Sequence, residues 1–191
     1  MEAFLVSTGI VTLAEMGDKT QLLSLVLAAR FRQPWSIIAG IFVATVANHA
    51  AAGALGHWVS ALVDADVVRW VLGASFIVMA WWMLIPDQIS EDDVCVHSQW
   101  GVFGATALAF FVAEMGDKTQ IATVMLGAQY ASVLWVALGT TLGMMLANVP
   151  VVWLGDRLLQ CIPLRVVHLA SAAIFFAMGM VALGAAVWQP L

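Results

Sequence analysis

Ala14-Glu15-Met16-Gly17-Asp18-Lys19-Thr20-Gln21 recurs letter for letter as Ala113-Glu114-Met115-Gly116-Asp117-Lys118-Thr119-Gln120, an offset of 99 residues. Eight consecutive identities are far beyond chance. Weaker echoes follow in the same order: Phe4 with Phe103, Ala47-Asn48 with Ala147-Asn148, Arg69 with Arg165, and Ala74-Ser75 with Ala170-Ser171. The duplication therefore covers whole halves of the chain, and each copy carries acids, a lysine and a glycine within one apolar run.

The surroundings of the motif set the class of protein. Of 191 residues, 63% are hydrophobic and 10% charged, with a mean hydropathy of +0.97. A soluble domain carries roughly 25% charged residues and could not hide this much apolar surface from water. Apolar segments run at 4–29, 35–62, 67–85, 101–128, 132–154 and 166–188. Each is long enough for a membrane-crossing helix, which needs about 20 residues. The breaks between them hold charge and helix-stopping residues: Arg30 to Pro34, Asp64 to Asp66, and Pro86 to Gln99. The N-terminus has no basic region of the secretory type, so the first run is expected to persist as a span. Cys95 and Cys161 have no CxxC spacing and imply no disulfide framework. Without a basic patch, nucleic acid is excluded as a partner.

The reading is an all-α integral membrane protein with six transmembrane helices. Residues 1–86 form a first three-helix repeat, 87–100 an acidic central loop, and 101–191 a second three-helix repeat. Three is odd, so the second half starts on the opposite side of the bilayer from the first. The 3+3 repeat is thus inverted, an architecture in which secondary transporters hold substrate near the midplane between the halves. Arg30, Arg32, Arg157 and Arg165 fall on one side and Arg69 on the other. The positive-inside rule then places the central loop in the cytoplasm and both termini outside it, periplasmic in a bacterium.

Depth gives the motif its chemistry. Glu15 lies 11 residues beyond Phe4, as Glu114 does beyond Phe103. At about 1.5 Å per residue both acids are near the middle of a hydrocarbon core about 30 Å thick. An ionisable group there costs at least about 2.5 kcal/mol and needs a partner, water or a ligand. In a continuous helix Glu15, Asp18 and Lys19 share one face, as do Glu114, Asp117 and Lys118. Gly17 and Gly116 permit close approach or local unwinding, which would free backbone carbonyls. Thr20, Gln21, Thr119 and Gln120 add side-chain oxygens, and Asn48 and Asn148 supply an amide from the second and fifth spans. Four carboxylates against the ammonium groups of Lys19 and Lys118 leave −2, which one divalent cation or two protons would neutralise. Desolvation and repulsion load protons when metal is absent, and metal expels them, so the expected chemistry is exchange. A hard oxygen set suits magnesium, calcium or manganese, with Met16 and Met115 as softer donors should they turn inward.

A structural ion-pair network joining helices is the competing reading of one such cluster; two inverted copies favour transport. His49, beside Asn48, could relay protons, yet its counterpart is Val149, and it reads as a hydrogen-bonded interior histidine. Glu91, Asp92, Asp93, Cys95 and His97 read as a solvated linker rather than a metal-gathering loop. No nucleophile–base pair or phosphate-cradling loop points to an enzyme.

At its twin Glu-Met-Gly-Asp-Lys-Thr motifs the chain resembles the GDT-type cation/proton exchangers of Golgi, chloroplast and bacterial membranes, and most of all their bacterial manganese-exporter branch. The resemblance implies export of Mn2+ from the cytoplasm against protons, with Glu15, Asp18, Glu114 and Asp117 as the metal and proton site. Ca2+ exchange, or mixed Ca2+/Mn2+ exchange, is the alternative, and a non-transporting membrane scaffold a second. No cofactor and no obligate protein partner are expected; the partners are the divalent ion and the lipid bilayer. The lack of a presequence and the short central loop fit a bacterial inner membrane.

Overall fold

A computed structural model describes residues 1–85, 100–130, 132–155 and 164–188. The acidic loop expected at 87–100 lies outside these residues except for Trp100, as do Arg157 and both cysteines. The described chain is helical, with no strand among these residues: α1 (Glu2–Glu15), α2 (Lys19–Phe31), α3 (Pro34–Leu62), α4 (Ala65–Trp82), α5 (Gly101–Glu114), α6 (Lys118–Gln129), α7 (Val133–Leu154) and α8 (Leu164–Trp188). Helices α3, α4, α7 and α8 are long and apolar enough to cross a membrane.

The first and fourth apolar runs are not single helices, which corrects the assumption of a continuous helical face. Each breaks inside the motif. After Glu15 the chain turns extended at Met16 (φ −66°, ψ 112°), takes a positive φ of 85° at Gly17 and is extended again at Asp18. The second copy repeats this: Met115 has φ −66° and ψ 117°, Gly116 has φ 79°, and Asp117 precedes α6. The cause is the glycine, since only a residue without Cβ enters that region of backbone space at no steric cost. Glu15 and Glu114 thereby end their helices, while Asp18 and Asp117 begin the next ones.

Packing joins one half of the chain to the other: α1 lies on α7, α3 on α5 and α6, and α4 on α8. Contacts α1/α7 and α3/α5 are equivalents in the duplicated sequence. A Cβ on Gly139 would meet Phe4 O at 2.5 Å, and one on Gly40 would meet Phe103 O at 2.8 Å, the same contact one repeat apart. Direction can be read from successive contacts. Gly139 meets Phe4 and Gly143 meets Thr8, so α1 and α7 run parallel. Gly40 meets Phe103 and Asn48 meets Phe111, so α3 and α5 also run parallel. Gly73 meets Leu183 while Phe76 stacks on Phe175, so α4 and α8 are antiparallel.

Small residues let these backbones approach closely, as helices must where lipid supplies no hydrophobic drive to associate. Gly56 faces Val124 O, and Gly127 faces Gly53 O, at the α3/α6 crossing. The outer surface is apolar, with Leu134 65% and Val181 72% exposed, whereas Glu15, Asn148, His49 and Gln21 are buried. That distribution is inverted relative to a water-soluble protein and fits a lipid solvent. The chain is a multi-pass membrane protein.

Candidate metal centre

Breaking both motif helices at the same step brings their acids together. Glu15, Glu114 and Asp117 each offer an oxygen within 4.8 Å of the others, and all three are buried. Two come from the ends of α1 and α5 and the third from the start of α6, so both copies of the motif contribute. Asp18 is buried at the start of α2, outside this trio.

The trio is braced across the repeat. Thr20 Oγ1 donates to Glu15 Oε2 at 2.5 Å, and Thr119 Oγ1, from the other motif, donates to Glu15 Oε1. Lys19 Nζ lies 3.4 Å from Asp117 Oδ1, again between motifs. Glu114 differs from Glu15: neither of its oxygens accepts a hydrogen bond among the described residues. Lys118, also buried, donates to Ile85 O at 2.6 Å beyond the end of α4. If all three are ionised, the carboxylates beside one ammonium sum to −2, the value expected from the whole motif pair but reached with fewer groups.

Gln21 and Gln120 have a task other than the one their oxygens suggested. Gly17 N donates to Gln21 Oε1 at 2.8 Å, and Gly116 N to Gln120 Oε1 at 2.7 Å. Each glutamine thus satisfies the amide that the helix break exposes, as burial in an apolar medium requires. Gln21 Nε2 also donates to Ala147 O at 2.9 Å, tying α2 to α7. Asn148 accepts from Ser24 Oγ at 2.8 Å and donates back to Met144 O, while Asn48 donates to Phe111 O at 3.1 Å. Both asparagines therefore link the long helices to the motif helices, on α2 and α5 respectively. Met115 is 60% exposed and Met16 half-buried, so the thioethers are not part of the buried set.

His49 departs from the sequence expectation. It is buried but makes no hydrogen bond through either ring nitrogen among the described residues; its Nε2 lies 3.7 Å from Glu114 Oε2. The expectation of a satisfied interior histidine rested on its lack of a repeat counterpart, which says nothing about which carboxylate it meets. Its position in the middle of the second apolar run, at the depth of the acids, was the available signal.

An apolar exterior around a buried, cross-braced carboxylate cluster is the arrangement expected of a membrane protein that handles cations. The chain belongs to the divalent cation/proton antiporter GDT1 family, which matches residues 3–91 and 102–189, both halves of the duplication. It is 51% identical over 181 residues to a protein of Vibrio cholerae serotype O1 named "Putative manganese exporter", with 94% of this chain and 90% of that protein covered. No solved structure matches the chain.

Proposed function

We propose that the chain exports Mn2+ from the cytoplasm across a bacterial inner membrane in exchange for protons. The observation that carries this reading is the buried trio Glu15, Glu114 and Asp117, drawn from both motifs, which when fully ionised would carry −2 with Lys19 counted. Buried carboxylates in that number are stable as anions only with a cation and otherwise hold protons, so metal and protons compete for the same oxygens. Thr20 and Thr119 orient Glu15 and supply hydroxyl oxygens at the edge of the cluster. Asp18 completes the family's acid set and would receive the ion when the halves rearrange. The name of the Vibrio cholerae relative favours manganese.

The architecture that goes with this function is a six-span, 3+3 inverted repeat divided at the central loop, residues 1–86 and 101–191. The broken pairs α1/α2 and α5/α6 each serve as one span. Parallel α1 and α7, parallel α3 and α5, and antiparallel α4 and α8 are the directions that this topology requires. Alternating access then comes from rocking of one half against the other about the trio. The arginine distribution puts both termini in the periplasm and the central loop in the cytoplasm.

Calcium is the second reading, favoured by the all-oxygen character of the trio and its threonines. Purified protein in proteoliposomes with an imposed pH gradient tests both. Metal flux that collapses with the gradient, with Ca2+ a weak competitor of Mn2+, is the expected result. Flux of Ca2+ in preference to Mn2+ would transfer the assignment to calcium, and absence of flux would leave a scaffold whose cross-motif contacts only join helices.

A further inference from the structure

We infer that His49 is a nitrogen ligand of the transported ion, bound through Nε2 on the Glu114 side of the trio. The inference rests on the reading that the trio holds that ion. Helix α3 buries the imidazole completely, and its Nε2 faces Glu114 Oε2 across 3.7 Å, too far for a hydrogen bond. Both ring nitrogens and both Glu114 oxygens lack hydrogen-bond partners among the described residues. Unsatisfied polar atoms in an apolar interior cost about 1–3 kcal/mol each, and an ion beside Nε2 and Oε2, which face one another, would relieve that cost.

The spacing is close to that of two ligands sharing a cation. With metal–donor bonds of about 2.1 Å, two ligands of one octahedral ion are about 3.0 Å apart when adjacent and about 4.2 Å apart when opposite. The observed 3.7 Å is about 0.7 Å wider than an adjacent pair, a gap that rotation of either side chain would close around a bound ion. Thr20 and Thr119 already engage Glu15 and Lys19 lies beside one oxygen of Asp117, so Glu114 is the carboxylate of the trio with both oxygens to give. A neutral imidazole adds affinity for transition-metal ions and little for Ca2+, which takes oxygen ligands. His49 therefore supplies the selectivity that the carboxylates lack. Its repeat counterpart is Val149, so the nitrogen is present once and the site is asymmetric even though the motifs are identical.

Pulsed electron paramagnetic resonance of the full-length protein loaded with Mn2+ tests this, because a coordinated imidazole imprints nitrogen modulation on the manganese signal. The expected result is such modulation in the parent and its loss in His49→Gln, together with an about tenfold loss of Mn2+ preference over Ca2+ in flux competition. A second variant, with His57→Gln, His97→Gln and His168→Gln, keeps His49 as the sole histidine and should retain the modulation, which decides the matter even if His49→Gln fails to fold. Bound Mn2+ without nitrogen modulation in the parent, or modulation that survives in folded His49→Gln, overturns the ligand while leaving the exchanger reading intact. A parent that binds no Mn2+ overturns both.

Discussion

Lys19 Nζ sits 3.4 Å from Asp117 Oδ1, so the base of the first motif neutralises an acid of the second. The two copies are one electrostatic unit. Lys19→Gln should leave Asp117 uncompensated and destabilise the fold by about 1–3 kcal/mol. In a double-mutant cycle with Asp117→Asn, unfolding in mixed micelles should show a coupling of at least about 0.5 kcal/mol. Strict additivity would mean that the pair does not hold the motifs together.

Thr119 reaches Glu15 from the opposite half, and Thr20 reaches it from its own. Groups that orient a metal ligand typically contribute about 10–100-fold to affinity. Thr119→Val should therefore weaken Mn2+ binding by about tenfold with the fold intact, whereas Thr119→Ser, which keeps the hydroxyl, should bind as the parent does. Equal losses in both variants would assign the effect to packing rather than to the hydrogen bond.

Glycines at the α3/α6 crossing should tolerate nothing larger. A Cβ on Gly56 would stand 1.9 Å from Val124 O, a backbone atom that cannot swing aside. Gly56→Ala is expected to cost about 1–3 kcal/mol or more through overpacking. A Cβ on Gly9 meets nothing within 4 Å, and Gly9→Ala should stabilise α1 by up to about 1 kcal/mol. Thermal unfolding in detergent ranks the two; similar midpoints would contradict the close approach of α3 and α6.

Cys95 tests orientation. A thiol reagent that cannot cross the membrane should label it in inverted vesicles and not in intact cells stripped of their outer membrane. Labelling in the intact cells would reverse the orientation.

Much of this organisation is legible in the sequence. The long helices α3, α7 and α8 begin and end within about two residues of the apolar runs, because charge or proline marks most of their limits. The duplication follows from the sequence alone, and the burial of its acids agrees with their place inside apolar runs. What spacing could not supply is partnership. The i, i+3, i+4 argument for Glu15, Asp18 and Lys19 assumes a continuous helix, and the positive φ of Gly17 cancels it. Gly17 reads as permitting unwinding, but nothing local in the sequence says that Gln21 turns its oxygen to the exposed amide. Contacts from Lys19 to Asp117 and from Thr119 to Glu15 join residues about 100 positions apart, and no local pattern encodes them. His49 reads as a hydrogen-bonded interior histidine because Val149 stands at its repeat position, although the asymmetry between Glu15 and Glu114 is where an unrepeated residue has an effect.

Mn2+ binding with simultaneous measurement of proton release tests the central claim, that Glu15, Glu114 and Asp117 form one exchange site. The account predicts one ion bound per chain, with protons released on binding, and loss of both signals in folded Glu15→Gln and Glu114→Gln. Undiminished Mn2+ binding and proton release in those two variants would contradict it.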